Sequence, residues 1–233
     1  MRAAVLVATT LALLGSAVRA ADDTGVLKRL DHLVYAVPDL DGGVTDLERR
    51  LGVRAAPGGP HPGRGTRNAL IALGPESYLE IIAPDPAQPE PAGGRWFGVD
   101  PHAPARLAGW AVKGSDLPRL VAAAARRGVP LGEVMPGARA RPDGVELHWM
   151  LTNPDAHAVF GLAPFFIEWG TSPHPAATAP RGPLLVALGA EHPRPELVRE
   201  PLAALGLDLP VAPGPRPALV ATLRTVSGLV ELR

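Results

Sequence analysis

The chain contains no cysteine. That absence excludes disulfides, cysteine-ligated zinc, iron–sulfur clusters and a thiol nucleophile. Lysine is nearly missing as well. Lys28 and Lys113 are the two lysines among 23 basic residues, so Schiff-base chemistry has two candidates at most. Aromatic residues make up 4%, too few for a platform on which bases stack. Charge of one sign is not in excess: 23 basic residues meet 23 acidic ones. A polyanion binder carries a basic surplus, so nucleic acid is not expected as a partner. Also missing are the G-x-G-x-x-G and G-x-x-x-x-G-K-[ST] phosphate cradles and the G-x-S-x-G nucleophile elbow.

What is present is a foldable chain of 233 residues, 46% hydrophobic, with 28 prolines and 26 glycines. Such punctuation favours many short elements joined by tight turns over a long-helix bundle. The first 20 residues stand apart. Arg2 precedes an apolar run from Ala3 to Val18, and Val18-Arg19-Ala20 offers a small-residue exit. This is the pattern of a cleaved secretory signal peptide over residues 1–20, and the run is shorter than the roughly 20 apolar residues of a membrane span. The expected location is periplasmic or secreted, with no membrane attachment after cleavage.

The remainder repeats. Leu30–Val37 reads as a strand, Asp39 as a helix cap, Leu40–Leu51 as a helix and Gly52 as its stop. The same order returns at Leu107–Val112 with a helix near Leu117–Arg127, and again at Leu184–Leu188 with a helix near Pro195–Leu205. The closing glycines Gly52, Gly128 and Gly206 set the spacing of a duplicated supersecondary unit. Hairpins complete each copy: Asn68–Leu73 with Tyr78–Ile82, Gly144–Leu151 with Phe165–Trp169, and Ala218–Leu223 with Gly228–Leu232. Each last strand holds a glutamate among apolar residues: Glu80, Glu168 and Glu231. Pro84–Pro91 and Pro173–Pro183 read as linkers, because proline cannot donate to a ladder. The expected fold class is α+β, with βαβββ modules at 27–92 and 105–170 forming one cupped mixed sheet. A third βαββ unit at 183–233 is expected to pack on the same domain.

Asp31-His32-Leu33-Val34, Val37-Pro38-Asp39-Leu40, His61-Pro62-Gly63 with Gly65-Thr66 and Asn68, and Tyr78-Leu79-Glu80 form an ordered set. With Arg95-Trp96-Phe97-Gly98 and Phe166-Ile167-Glu168-Trp169, this set resembles the glyoxalase-like branch of the vicinal oxygen chelate superfamily. The resemblance implies paired modules enclosing a cleft, often with a divalent metal. It also implies metal ligands at His32 on the first strand and at Glu80 and Glu168 on last strands. Imidazole with carboxylate oxygen suits Zn, Fe, Mn, Ni or Co.

One position breaks that pattern. Aligning the two helix starts puts Gly109 opposite His32, so the second unit lacks the matching ligand. His148 or His61 can replace it. Arg67 is a cation within the same motif, so the alternative to a metal is an Arg67–Glu80 ion pair with no cofactor. Either way, a carboxylate buried in an apolar strand needs a partner. His32, Glu80 and Glu168 are expected in one cleft with Arg67 at its wall, and Glu168 and Arg67 are the candidate catalytic residues. His61, Arg64, Arg67, Asn68, Arg95 and Trp96 are candidate substrate contacts, since arginine forks match carboxylate or phosphate. His102, His157, His174 and His192 read as surface residues. The expected activity is that of a glyoxalase-like enzyme of isomerase, lyase or dioxygenase type acting on a small, anionic ligand, with a homodimer allowed. The alternative is a binding protein on the same fold that sequesters such a ligand.

Overall fold

The computed structural model describes residues 25–156 and 161–233. The leader at 1–20 and His157 lie outside the described residues. A short helix, α1 (Gly25–Arg29), leads into β1 (Leu30–Ala36), α2 (Leu40–Leu51), β2 (Ala56–His61), β3 (Thr66–Ala72) and β4 (Tyr78–Pro84). A 3₁₀ turn at Trp96–Gly98 precedes β5 (Arg106–Lys113), α3 (Leu117–Arg126), β6 (Val134–Ala140), β7 (Glu146–Thr152) and β8 (Phe165–Glu168). After a 3₁₀ turn at Pro175–Ala177 come β9 (Leu184–His192), α4 (Glu196–Ala204), β10 (Val211–Pro213), β11 (Ala218–Thr225) and β12 (Gly228–Leu232).

Local chemistry fixes these elements. Asp39 accepts the Gly42 amide at 2.7 Å and starts α2, whose Leu40, Val44, Leu47 and Leu51 are buried at helical spacing. Gly52 ends the helix at φ 74°, a conformation that side chains resist. In β1 the side chains alternate. Leu33 and Tyr35 join the helix-covered core, while Val34 and Ala36 join a second apolar cluster on the concave side.

Strands β1 to β8 make one mixed sheet in the order β2-β3-β4-β1-β5-β8-β7-β6. The two modules meet where β1 and β5 run antiparallel, pairing His32 with Ala111, Leu33 with Trp110 and Val34 with Gly109. A shift of 77 residues, Leu33 onto Trp110, exchanges the outer two pairs and maps the middle pair onto itself. The modules are therefore related by a local two-fold axis at Leu33 and Trp110, and His32 corresponds to Gly109. The outer edges approach each other: Arg139 on β6 donates to the Gly58 carbonyl on β2. Gly58 and Gly59 permit this closure. A Cβ on Gly58 would stand 2.0 Å from Asn68 Oδ1, and one on Gly59 would stand 2.8 Å from the Ala140 carbonyl oxygen. The sheet is thus curved almost into a barrel.

The third unit forms a separate four-stranded sheet, β10-β9-β11-β12, yet its Leu188, Ala190, Val198 and Leu202 join the main core. Its topology differs from that of the modules. In those, the last strand pairs in parallel with the first (β4 with β1, β8 with β5), whereas β9 takes β10 as its parallel partner and β12 lies at the edge beyond β11. The expected equivalence of Glu231 with Glu80 fails for this reason. Glu231 is exposed and pairs Arg233 at 2.6 Å. Among the described residues no helix is long and apolar enough to cross a membrane.

Candidate functional site

The concave face of the curved sheet holds a cavity of about 300 Å³. Its chemistry begins at Asp31. Neighbouring strand residues normally point to opposite faces, but the register of β1 against β5 slips between Leu30 and His32. Asp31 is the extra residue of that bulge, so its carboxylate and the His32 ring meet. His32 Nδ1 lies 2.7 Å from Asp31 Oδ1. The other oxygen, Oδ2, accepts from Trp169 Nε1 at 3.0 Å and from His174 Nε2 at 3.2 Å. His174 Nδ1 accepts the Ala176 amide, which assigns the ring proton to Nε2 and makes it a donor to Asp31.

Asp31 is 1% exposed. Burial alone would raise its carboxyl, but the hydrogen bonds from His174 and His32 outweigh it and hold the group down at about 2. Asp31 is therefore an anion at neutral pH. It fixes the His32 proton on Nδ1 and directs Nε2 into the cavity, where Glu80 Oε2 lies 3.7 Å away. Nε2 and the Glu80 carboxylate thus face the same part of the cavity. The Tyr78 ring stacks on His32 at 4.6 Å and Phe165 meets it edge-on at 5.3 Å, which locks the imidazole plane. Burial pushes the Tyr78 phenol well above its ordinary range, so it stays neutral.

Glu80 is held from the other side by Asn68 Nδ2, which donates to Oε1 at 2.7 Å. Asn68 Nδ2 also stands 3.1 Å from His61 Nε2, while His61 Nδ1 reaches Thr66 Oγ1 at 2.9 Å. Burial lowers the His61 ring, so it is neutral and accepts at Nε2. Arg64 sits over the Trp96 ring at 3.9 Å, a cation–π contact at the cavity wall.

The structure thus brings His32, Glu80, His61, Asn68, Arg64 and Trp96 to one cavity. It places four other candidates elsewhere. Arg67 alternates with Asn68 on β3 and points to the helix side, where Nη2 lies 3.7 Å from Asp41 on α2 and not against Glu80. Glu168 alternates with the cavity-lining Ile167 and takes the opposite face of β8. His148 is outside, its side chain 67% exposed beside Glu146. Arg95 straps a loop, donating to the Gly65 carbonyl at 2.9 Å and pairing Glu90 at 3.0 Å. His102 is exposed as expected, but His192 is buried and His174 serves Asp31.

The displacement of Glu168 has a register cause. Val34 pairs with Glu80 across β1 and β4, and Ala111 pairs with Phe165 across β5 and β8. Since Val34 corresponds to Ala111, the second-module counterpart of Glu80 is Phe165. The counterpart of His32 is Gly109, and a Cβ there would stand 3.0 Å from the Phe97 ring. Aromatic carbon thus fills the half of the site where a second His–Glu pair would stand. Among the described residues no group of three or more His, Asp or Glu side chains is set to hold a metal ion. The donors present do not fit a divalent cation: the facing module supplies none, and Asn68 already occupies Glu80 Oε1. Asp31, Tyr78, Trp149, Phe165, Trp169 and His174 were not singled out as site residues by sequence reasoning. The Asp31-His32 dipeptide within an apolar strand was the available signal.

Fold and cavity together define a vicinal oxygen chelate architecture, with paired modules around one concave site. The glyoxalase-like domain model matches residues 30–206, and the chain belongs to that family. A hypothetical protein from Staphylococcus aureus shares the fold, with TM-score 0.57 at 15% identity over 87% of this chain and 84% of that one. A Streptomyces coelicolor methylmalonyl-CoA epimerase in complex with 2-nitronate-propionyl-CoA aligns with TM-score 0.42 at 19% identity, covering 61% and 98% of the two chains. The methylmalonyl-CoA epimerase from Mycobacterium tuberculosis aligns with TM-score 0.40 at 21% identity, covering 64% and 92%. No curated relative matches the chain.

Proposed function

We propose that this chain is an enzyme that moves a proton beside the carbonyl of a small molecule, in the manner of an isomerase. The supporting observation is the line Asp31–His32–Glu80, with 2.7 Å at Nδ1 and 3.7 Å at Nε2, opening into the cavity on the concave face. Glu80 takes the proton from the carbon next to the carbonyl. The C–H electron pair forms a carbon–carbon double bond, and the carbonyl oxygen takes the proton from His32 Nε2. From a 2-hydroxy aldehyde the intermediate is a neutral enediol; Glu80 then gives its proton to the former carbonyl carbon while the neighbouring hydroxyl gives its proton to His32 Nε2, which forms the new carbonyl and restores both side chains. Asp31 stabilises the imidazolium that starts the step and keeps Nε2 aimed. Asn68 holds Glu80 in place. No step needs a divalent metal.

Proton NMR in D₂O measures this directly, as deuterium uptake by a panel of small 2-oxo acids and 2-hydroxy aldehydes. His32→Gln and Glu80→Gln should each slow exchange by about 10²–10⁴-fold. Equal exchange by both variants and the wild type would sink the proposal. A second reading, a binding protein on the same scaffold, is favoured by Gly109 and Phe165 in place of a second donor pair. Tight ligand binding without exchange would select it. Export belongs to this proposal through the leader at residues 1–20, and mass spectrometry of the native protein should find its first residue near Ala21.

A further inference from the structure

Arg139 is a buried cation on the cavity wall that the proposed proton transfer leaves unused. It is 5% exposed on β6, a strand whose other residues are all at least partly exposed. Among the described residues its hydrogen bond goes to the Gly58 carbonyl, and no carboxylate lies within ion-pair distance of it. Glu80 and Tyr78 face it from the first module and Arg141 from just beyond the end of its strand, none of them as a salt-bridge partner. A guanidinium carries five N–H donors, and burying it without an anion is costly. Burial indeed makes the protonated form harder to hold.

The surroundings say where an anion would sit. Arg139 lines the 300 Å³ cavity and also a second one of about 240 Å³ behind it, so it stands at the partition between them. Trp149, Trp169 and Phe165 line the first cavity beside it, with the two indoles 5.3 Å apart. Gly137 lets Trp149 lie against β6, since a Cβ there would fall 2.3 Å from the indole. Positive charge at the back, aromatic walls and the His32–Glu80 pair to one side describe a ligand with an anionic end and a flat apolar body. Glu80 already places negative charge nearby, which favours a singly charged carboxylate over a doubly charged phosphate. The guanidinium fork matches a carboxylate through two parallel hydrogen bonds.

We infer that Arg139 anchors the carboxylate of a small aromatic or apolar acid, with the ligand's body between Trp149 and Phe165 and its reacting carbon at His32–Glu80. This names the substrate class of the proton-transfer site and rests on that reading for the reaction alone. The probe pair is phenylacetate and its neutral isostere phenylacetamide, titrated against tryptophan fluorescence. The wild type should bind the acid about tenfold or more tighter than the amide, the worth of a charge-assisted pair. Inorganic phosphate should not displace it. Arg139→Met should abolish the preference, and Arg139→Lys, which keeps charge and loses the fork, should retain part of it. His32→Gln should keep the preference while losing deuterium exchange, so failure of the anchor and failure of the reaction are told apart. If Arg139→Met does not fold, the acid-over-amide ratio of the wild type still decides. No acid preference in the wild type, including no binding of either probe at millimolar concentration, overturns the inference, as does tighter binding of phosphate or an unchanged preference in folded Arg139→Met.

Discussion

The two modules share one backbone plan and divide the cavity unequally. The first supplies Asp31, His32, Asn68 and Glu80. At the positions corresponding to His32 and Glu80 the second supplies Gly109 and Phe165, with Phe97 against the glycine. Duplication preserved the scaffold's hydrogen-bond register and left the chemistry free to segregate. One half became a polar wall and the other an apolar wall, in which Arg139 is the buried charge among the described residues. Low dielectric on the apolar side strengthens every interaction on the polar side, so the asymmetry serves the site rather than weakening it.

The largest expected break lies at Asp31, the residue without which the polar half loses its order. Asp31→Ala leaves donors on His32, Trp169 and His174 unpaired, and should cost about 3–5 kcal/mol in urea unfolding. Asp31→Asn separates positioning from packing. The volume remains, but the amide no longer holds the proton on His32 Nδ1. Nitrogen-15 NMR should show a mixed His32 tautomer, and deuterium exchange should fall by about 10²-fold or more. An unchanged tautomer would show that Asp31 does not orient the ring.

The same carboxylate sets an acid limit. Its folded-state value of about 2 lies below the ordinary 3.8, so its contribution is complete above about pH 4 and is lost as pH falls toward 2. The contribution is about 2 kcal/mol, and it should vanish from the stability–pH curve of Asp31→Asn. His61 acts at milder pH in the same sense. Its ring is lowered from 6.5 by burial, so stability is full above 6.5 and declines as the pH drops below it. His61→Gln should flatten that decline.

On the apolar half the effect is smaller. Gly109→Ala brings a methyl to 3.0 Å from the Phe97 ring, whose backbone Arg106 holds at 2.7 Å through the Phe97 carbonyl. The ring has to shift, at a cost of about 1–2 kcal/mol by thermal unfolding. No loss would mean that Phe97 moves freely and does not seal this wall.

The sequence was informative where period and punctuation govern. Asp39, Gly52 and the Val44–Leu47–Leu51 stripe mark α2 without reference to anything distant, and the recurrence of that pattern revealed the repeat. His32 and Glu80 were legible because polar groups in apolar strands require partners. Long-range geometry was not legible. Ala56–His61 has no apolar alternation, and it becomes a strand because its glycines let it close against β6. Arg139 sits in Val134–Ala140, a stretch to which sequence reasoning assigned no strand, and its burial follows from that closure. His174 lies among prolines in a connecting segment, and its reach to Asp31 spans most of the chain.

The smallest effect tests the register itself. Matching the segments Tyr78-Leu79-Glu80 and Phe166-Ile167-Glu168 by their glutamates makes Glu168 the partner of Glu80 in one cleft. Strand pairing instead makes Phe165 the partner and turns Glu168 to the other face, opposite Met150 on β7. The two alignments differ by three residues, an odd number, and an odd slip in a strand reverses which face a side chain takes. Glu168→Gln should therefore change stability by no more than about 0.5 kcal/mol, as surface substitutions do. It should also leave deuterium exchange at the wild-type rate, in contrast to Glu80→Gln. A Glu168→Gln variant that fails to exchange, while remaining folded, would return Glu168 to the cavity and undo the assignment of an aromatic second half.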